Sequence, residues 1–114
     1  MKLAEIRDVL RCDVLTGKDA LSTDIETVVA SDGMSEILAF ARPGALMITG
    51  LTNVQSVRTA DIANVRAMVY IRGKRPDEKA IDLARKNNIP VLATDLGMFD
   101  VCGILRDWGL RGGM

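Results

Sequence analysis

A three-layer α/β/α domain, with a mainly parallel sheet of about five strands, is the fold this sequence predicts. Three observations point to it. Short apolar, β-branched runs near residues 25–30, 45–49, 67–71 and 89–93 alternate with stretches of helical period. Two of these runs, Ala45 to Thr49 and Ala67 to Ile71, are almost continuously apolar, as strands covered on both faces are. The intervals between runs are short and each holds one helix, which is the spacing of crossover connections in a layered sheet. A chain of 114 residues suits one core. One domain over residues 1–109 is expected, followed by a Gly-rich tail, 110–114, expected to fray.

Leu3, Ile6, Val9 and Leu10 fall at helical spacing and predict a short amphipathic helix. Val14-Leu15-Thr16 reads as a strand ended by Gly17, and Ile25 to Ala30 as a stronger one. Ser31-Asp32-Gly33 offers an N-cap, with Glu36 in the first turn, for a helix from Met34 to Phe40. Pro43-Gly44 closes that helix and leads into the 45–49 strand. A helix from Asn53 to Ile62 follows, then the 67–71 strand and the loop Arg72-Gly73-Lys74-Arg75-Pro76. Asp77 is a cap for a helix reaching Asn87, with Ala80, Ile81 and Ala84 inward and Asn87-Asn88 as its stop. Ile89 to Ala93 is the last strand. Thr94-Asp95 is the expected cap of a final helix to about Trp108, whose broad apolar face holds Met98, Phe99, Val101, Cys102, Leu105 and Trp108.

Composition narrows the function classes. A 48% hydrophobic, 26% charged chain is not disordered. Fifteen basic residues balance fifteen acidic ones, which argues against nucleic acid or an anionic membrane as a bulk partner. No run is long enough to span a bilayer and no secretory h-region opens the chain, so a cytoplasmic protein is expected. Cys12 and Cys102 stand 90 positions apart without a CxxC pair, and there is no His, so neither a metal centre nor a His-dependent catalytic group is expected. Phosphate-loop, dinucleotide and nucleophile-elbow signatures are absent, and an enzyme is disfavoured. No cofactor is named by any of this.

The zero net charge is unevenly distributed. Residues 1–40 carry four basic and eight acidic groups, a balance of −4. Residues 41–76 carry six basic groups against Asp61 alone, a balance of +5, and residues 77–114 come to −1. Either the patches pair within the domain or between subunits, or the middle third holds a local anion site. Ligands of open α/β sheets bind beyond the carboxyl ends of the strands, which nominates four loops. Their candidate contacts are Ser31 and Asp32; Thr49, Gly50, Thr52 and Asn53; Arg72, Gly73, Lys74 and Arg75; and Thr94 and Asp95. Glycines at 50 and 73 would let backbone approach a phosphate or carboxylate. Taken singly, Asp32, Asn53, Asp77 and Asp95 are also ordinary caps, and the 72–75 stretch an ordinary solvated turn.

The succession Val14-Leu15-Thr16-Gly17, Val28-Val29-Ala30-Ser31-Asp32, Pro43-Gly44 to Thr49 with Asn53, Arg72-Gly73 to Asp77, and Ile89-Pro90-Val91-Leu92 to Asp95 with Phe99 resembles the DRTGG domain family along residues 1 to 109. The resemblance implies a fold similar to the N-terminal domain of HPr kinase/phosphorylase, with a tendency to self-associate. It implies a regulatory or sensory module for a small anion or nucleotide, and it transfers no catalytic residues. Where many relatives carry a Thr-Gly-Gly style turn, this chain has Arg72-Gly73-Lys74. A non-enzymatic ligand-binding homodimer is the expected function. A pure protein-interaction module and a minimal acyl- or phosphoryl-transfer enzyme working through Asp32 or Asp95 are the alternatives.

Overall fold

The computed structural model describes residues 1–114 and places six strands in one sheet. In chain order they are β1 (Asp13–Thr16), β2 (Thr27–Ala30), β3 (Leu46–Thr49), β4 (Ala67–Tyr70), β5 (Val91–Ala93) and β6 (Arg111–Gly112). Their spatial order is β1-β5-β4-β3-β2-β6, with only β1 antiparallel to its neighbour. From β2 to β5 the chain steps one strand at a time in one direction. Right-handed crossovers then set the intervening helices on one face. These are α2 (Met34–Phe40), α3 (Val54–Ile62) and α4 (Glu78–Lys86). Ile37, Val57, Ala60, Ala80 and Ala84 of these helices pack on Val29, Met47, Met68, Tyr70, Val91 and Ala93 of the sheet.

Strand alternation sends Leu46, Ile48, Ala67, Val69 and Leu92 to the other face. There they meet Leu3 and Ile6 of α1 (Leu3–Val9) and Val101 and Leu105 of α5 (Met98–Asp107). Three layers result, as expected from the buried-on-both-sides character of β3, β4 and β5. Asn53 and Asp77 cap α3 and α4 through their side chains, accepting from Ser56 N at 3.1 Å and Ala80 N at 2.8 Å. Asn88 stops α4 in the left-handed region, at φ 57°. Beneath the start of α3, Ser56 Oγ donates to the Asn53 carbonyl at 2.6 Å, which leaves the Tyr70 hydroxyl, 2.8 Å away, to donate to Ser56. Thr59 Oγ1, also buried in α3, has no hydrogen-bond partner.

Several expectations change. The sheet has six strands, and the tail is not frayed. Gly109 turns the chain at φ 94°, Arg111 N donates to the Glu26 carbonyl at 3.1 Å, and Gly113 N to the Val28 carbonyl at 2.8 Å. An otherwise open edge of β2 recruits a segment with no strand character of its own. Helix α5 begins at Met98 behind Gly97, not behind Thr94-Asp95, because the Thr94 hydroxyl is spent on the Leu10 carbonyl at 2.6 Å. Helix α2 runs from Met34 to Phe40 as expected, with Gly33 of the Ser31-Asp32-Gly33 turn at its cap position, since the Asp32 carboxylate reaches sideways to β3. Phe99 and Trp108 are 90% and 57% exposed, and Cys102 is half-buried at the flank of α5 instead of in the core. No helix is long and apolar enough to cross a membrane.

Cys12 follows α1 and is half-buried against the core on that face. Burial, with Asp13 next to it, pushes its thiol from 9.0 up to about 12. The folded chain therefore holds this proton more tightly than the unfolded chain, and stability falls as pH rises from 9.0 toward about 12. Tyr70, raised by burial and by Asp77 although Ser56 opposes it, adds to the same trend at higher pH. Denaturant melts at about pH 8 and about pH 10.5 are expected to show this loss, and Cys12→Ala to make it shallower. Equal losses in both proteins would contradict the assignment to Cys12.

Candidate functional site

The carboxyl ends of β2, β3, β4 and β5 lie along one edge because these strands are parallel and in register. The four loops nominated from the sequence therefore do share an edge. At its centre is Asp32. Its Oδ1 accepts from Gly50 N at 2.7 Å and from the Thr49 hydroxyl at 3.0 Å, binding the β2 loop to the β3 loop. These bonds, the Gly50 N–H foremost, hold the carboxyl below its usual range against a partial burial that pushes it up. The positive charges of Arg72 and Lys74 act in the same direction as the bonds.

Arg72 is placed by its backbone. It sits in the left-handed region at φ 57°, followed by Gly73 at φ 70°. That pair of conformations turns Arg72 N onto the Leu96 carbonyl, at 2.8 Å, and Gly73 N onto the Thr94 carbonyl, at 3.0 Å. A non-glycine residue pays about 1 kcal/mol or more to sit there, here offset by stitching the β4 loop to the β5 loop. The Arg72 guanidinium lies against Gly50, where a Cβ would come within 2.5 Å of Nη2. Gly50 thus makes room for the cation, and Gly73 in turn lies beside Asp95, whose Oδ1 would be 3.2 Å from a Cβ there.

Not every nominated residue joins this group. Arg75 turns away to form an ion pair with Asp13, at the β1 edge. Asn53 is committed to capping α3. Thr52 contributes its carbonyl to Asp77 N at 3.1 Å, tying the β3 loop to the start of α4. Ser31 Oγ accepts from Gly33 N at 2.8 Å and shapes the first loop, while Thr49 Oγ1 and Thr94 Oγ1 accept from Leu51 N and Leu96 N at 3.2 Å each. What remains available is a pair of exposed cations, Arg72 and Lys74, in no ion pair, between the carboxylates of Asp32 and Asp95. The sequence marks all four residues, with Asp32 and Asp95 read both as candidate contacts and as ordinary caps. Their real placement depends on β2 lying beside β3, and β4 beside β5.

This edge is an open shelf. The surface cavities lie elsewhere, one of about 540 Å3 around Gly17 and Pro90 and one of about 490 Å3 around Arg42 and Arg66. A smaller one, of about 140 Å3, lies between α5 and the β2–β6 edge. The shelf can hold an anion by charge and by backbone approach at Gly50 and Gly73, with its contacts on one side only.

Comparison with known proteins places the chain. The family model described as the DRTGG domain matches residues 5–107. No curated protein matches the sequence. Among solved structures, the CBS and DRTGG domains of the regulatory region of Clostridium perfringens pyrophosphatase, complexed with the activator diadenosine tetraphosphate, superpose with a TM-score of 0.78. The identity is 22%, over 91% of this chain and 45% of that one. The likeness is one of fold, and the chain spans less than half the length of that structure.

Proposed function

This chain belongs to the DRTGG domain family, and from that membership we propose that it is a regulatory domain which binds a small phosphate-bearing ligand, of nucleotide class, as a homo-oligomer. The observation that carries the reading is the pair of free cations at the carboxyl edge of a parallel sheet, Arg72 lying against Gly50 and Lys74 two residues beyond it in the same loop. That edge is where α/β sheets receive ligands. Asp32, Thr49, Gly73 and Asp95 shape the shelf around the cations. Since the Clostridium perfringens regulatory region is complexed with a dinucleoside polyphosphate, polyphosphate nucleotides head the ligand classes to test.

The reading is regulatory, not catalytic. Of the two carboxylates of the shelf, Asp32 is engaged by Gly50 N and the Thr49 hydroxyl, while Asp95 stands exposed beside Gly73, and no nucleophile or further acid–base group of the shelf accompanies it. A thermal-shift panel of mono-, di- and triphosphate nucleotides, dinucleoside polyphosphates and inorganic pyrophosphate tests it. A ligand at 100 times its Kd stabilises the fold by about 2.7 kcal/mol. A folded sample that gives no shift with any of these would contradict the reading.

A further inference from the structure

Six large apolar side chains of the molecule are exposed, and five of them stand away from the carboxyl edge of the sheet. Helices α2, α3 and α5 each follow a strand of the parallel set and run back against it, so they start at the carboxyl edge and end at the amino edge. Leu38 and Phe40 lie in the last turn of α2, Ile62 ends α3, and Trp108 follows α5. Met114 follows Gly113, whose carbonyl takes Arg42 N just past the end of α2. Phe99 alone stands at the carboxyl edge, in the first turn of α5, and at 90% it is the most exposed of the six.

The same edge holds the free cations. Arg72 N donates to the Leu96 carbonyl at 2.8 Å, so the loop that carries Arg72, Gly73 and Lys74 is stitched to the chain just before α5. Phe99 follows Leu96 by three residues, no more than about 10 Å of chain. At about 100° per residue, Phe99 projects about 160° away from Val101, which is buried against the sheet, so its ring is free of the core. Helical side chains lean toward the N-terminus of their helix, which tilts this ring toward the shelf. Asp100, exposed next to Phe99, repels a phosphate from this turn and suits it to an uncharged part of a ligand. An uncovered aromatic face thus stands one short segment of chain from Arg72 and Lys74, which are in no ion pair. These are the two parts a nucleotide needs, a flat apolar surface for its base and positive charge for its phosphates.

We propose that Phe99 is the stacking platform for the base of the nucleotide whose phosphates take Arg72 and Lys74. The proposal rests on the nucleotide-binding reading above and names the residue that tells a nucleotide from a bare polyphosphate. Isothermal titration of the full chain tests it, with wild type, Phe99→Ala and Phe99→Trp. The ligands are ATP, GTP, diadenosine tetraphosphate and inorganic tripolyphosphate, the last of which has no base. Phe99 packs on nothing in the fold, so circular dichroism of both variants is expected to match wild type. At least one of the three nucleotides is expected to bind wild type more tightly than tripolyphosphate does. Phe99→Ala is expected to weaken that nucleotide about tenfold and to leave tripolyphosphate unchanged, while Phe99→Trp keeps the nucleotide affinity. Nucleotide binding that survives Phe99→Ala, or that is no tighter than tripolyphosphate binding in wild type, would overturn the stacking role and leave the cation shelf standing. Equal losses for nucleotide and tripolyphosphate in Phe99→Ala, or equal losses in the alanine and tryptophan variants, would overturn it too. A wild type that binds none of the four would overturn both the stacking role and the reading it rests on.

Discussion

Gly17→Ala is expected to lower the stability of this domain by about 3 kcal/mol, and its melting temperature by about 10 °C or more. Gly17 ends β1 at φ 81°, a conformation that costs an alanine about 1 kcal/mol. The larger part is steric. A Cβ at this position would lie 2.7 Å from Pro90 Cβ and 2.8 Å from Pro90 Cα, and the Pro90 ring cannot swing aside as a long side chain would. Pro90 leads directly into β5, the strand that holds β1, so the added methyl wedges the two apart. It also threatens the buried bond from the Thr16 hydroxyl to the Ile89 carbonyl, now 2.7 Å. Urea melts of the two proteins measure the difference. A loss below about 0.5 kcal/mol would mean that the β1–β5 junction gives way far more easily than this packing implies.

Arg72→Ala with Lys74→Ala is expected to weaken binding of the responding nucleotide on the order of 100-fold, because each cation supplies one charge-assisted contact. Both side chains are exposed and neither is ion-paired, so folding should be unaffected. Asp32→Asn separates charge from architecture. An asparagine Oδ1 can still accept from Gly50 N and the Thr49 hydroxyl, so the loops keep their arrangement while a negative charge leaves the shelf. Its affinity for the anion should equal or exceed that of the wild type. Isothermal titration of the three proteins at two salt concentrations checks this, since an exposed charge site weakens with ionic strength. Unchanged affinity in the double variant would remove Arg72 and Lys74 from the site.

Much of the fold was legible because its strongest determinants are local. The continuous apolar runs of β3 and β4 could only be strands buried on both faces, and Asn53 and Asp77 cap the helices they precede. What escaped depends on neighbours distant in sequence. Arg111–Gly112 becomes a strand only because β2 offers it an edge. Asp32 looks like a cap until Gly50 N and the Thr49 hydroxyl compete for it. The candidate site was legible in the same measure. Its loops, glycines and the cations Arg72 and Lys74 could be nominated from the expected carboxyl ends of the strands, without the strand order. The departure of Arg75 toward Asp13 required knowing that β1 lies beyond β5. The apolar period of α5 counted Phe99 as inward, though Val101 and Leu105 take the side that faces the sheet.

The claim that the shelf at the ends of β3, β4 and β5 receives the ligand is tested most directly by backbone-amide NMR. Titration with the nucleotide that responds in the thermal-shift panel is expected to move the amides of Gly50, Leu51, Gly73, Lys74 and Asp95 first and furthest. Shifts confined to the opposite end of the sheet, around Arg42, Gly44 and Arg66, would contradict it.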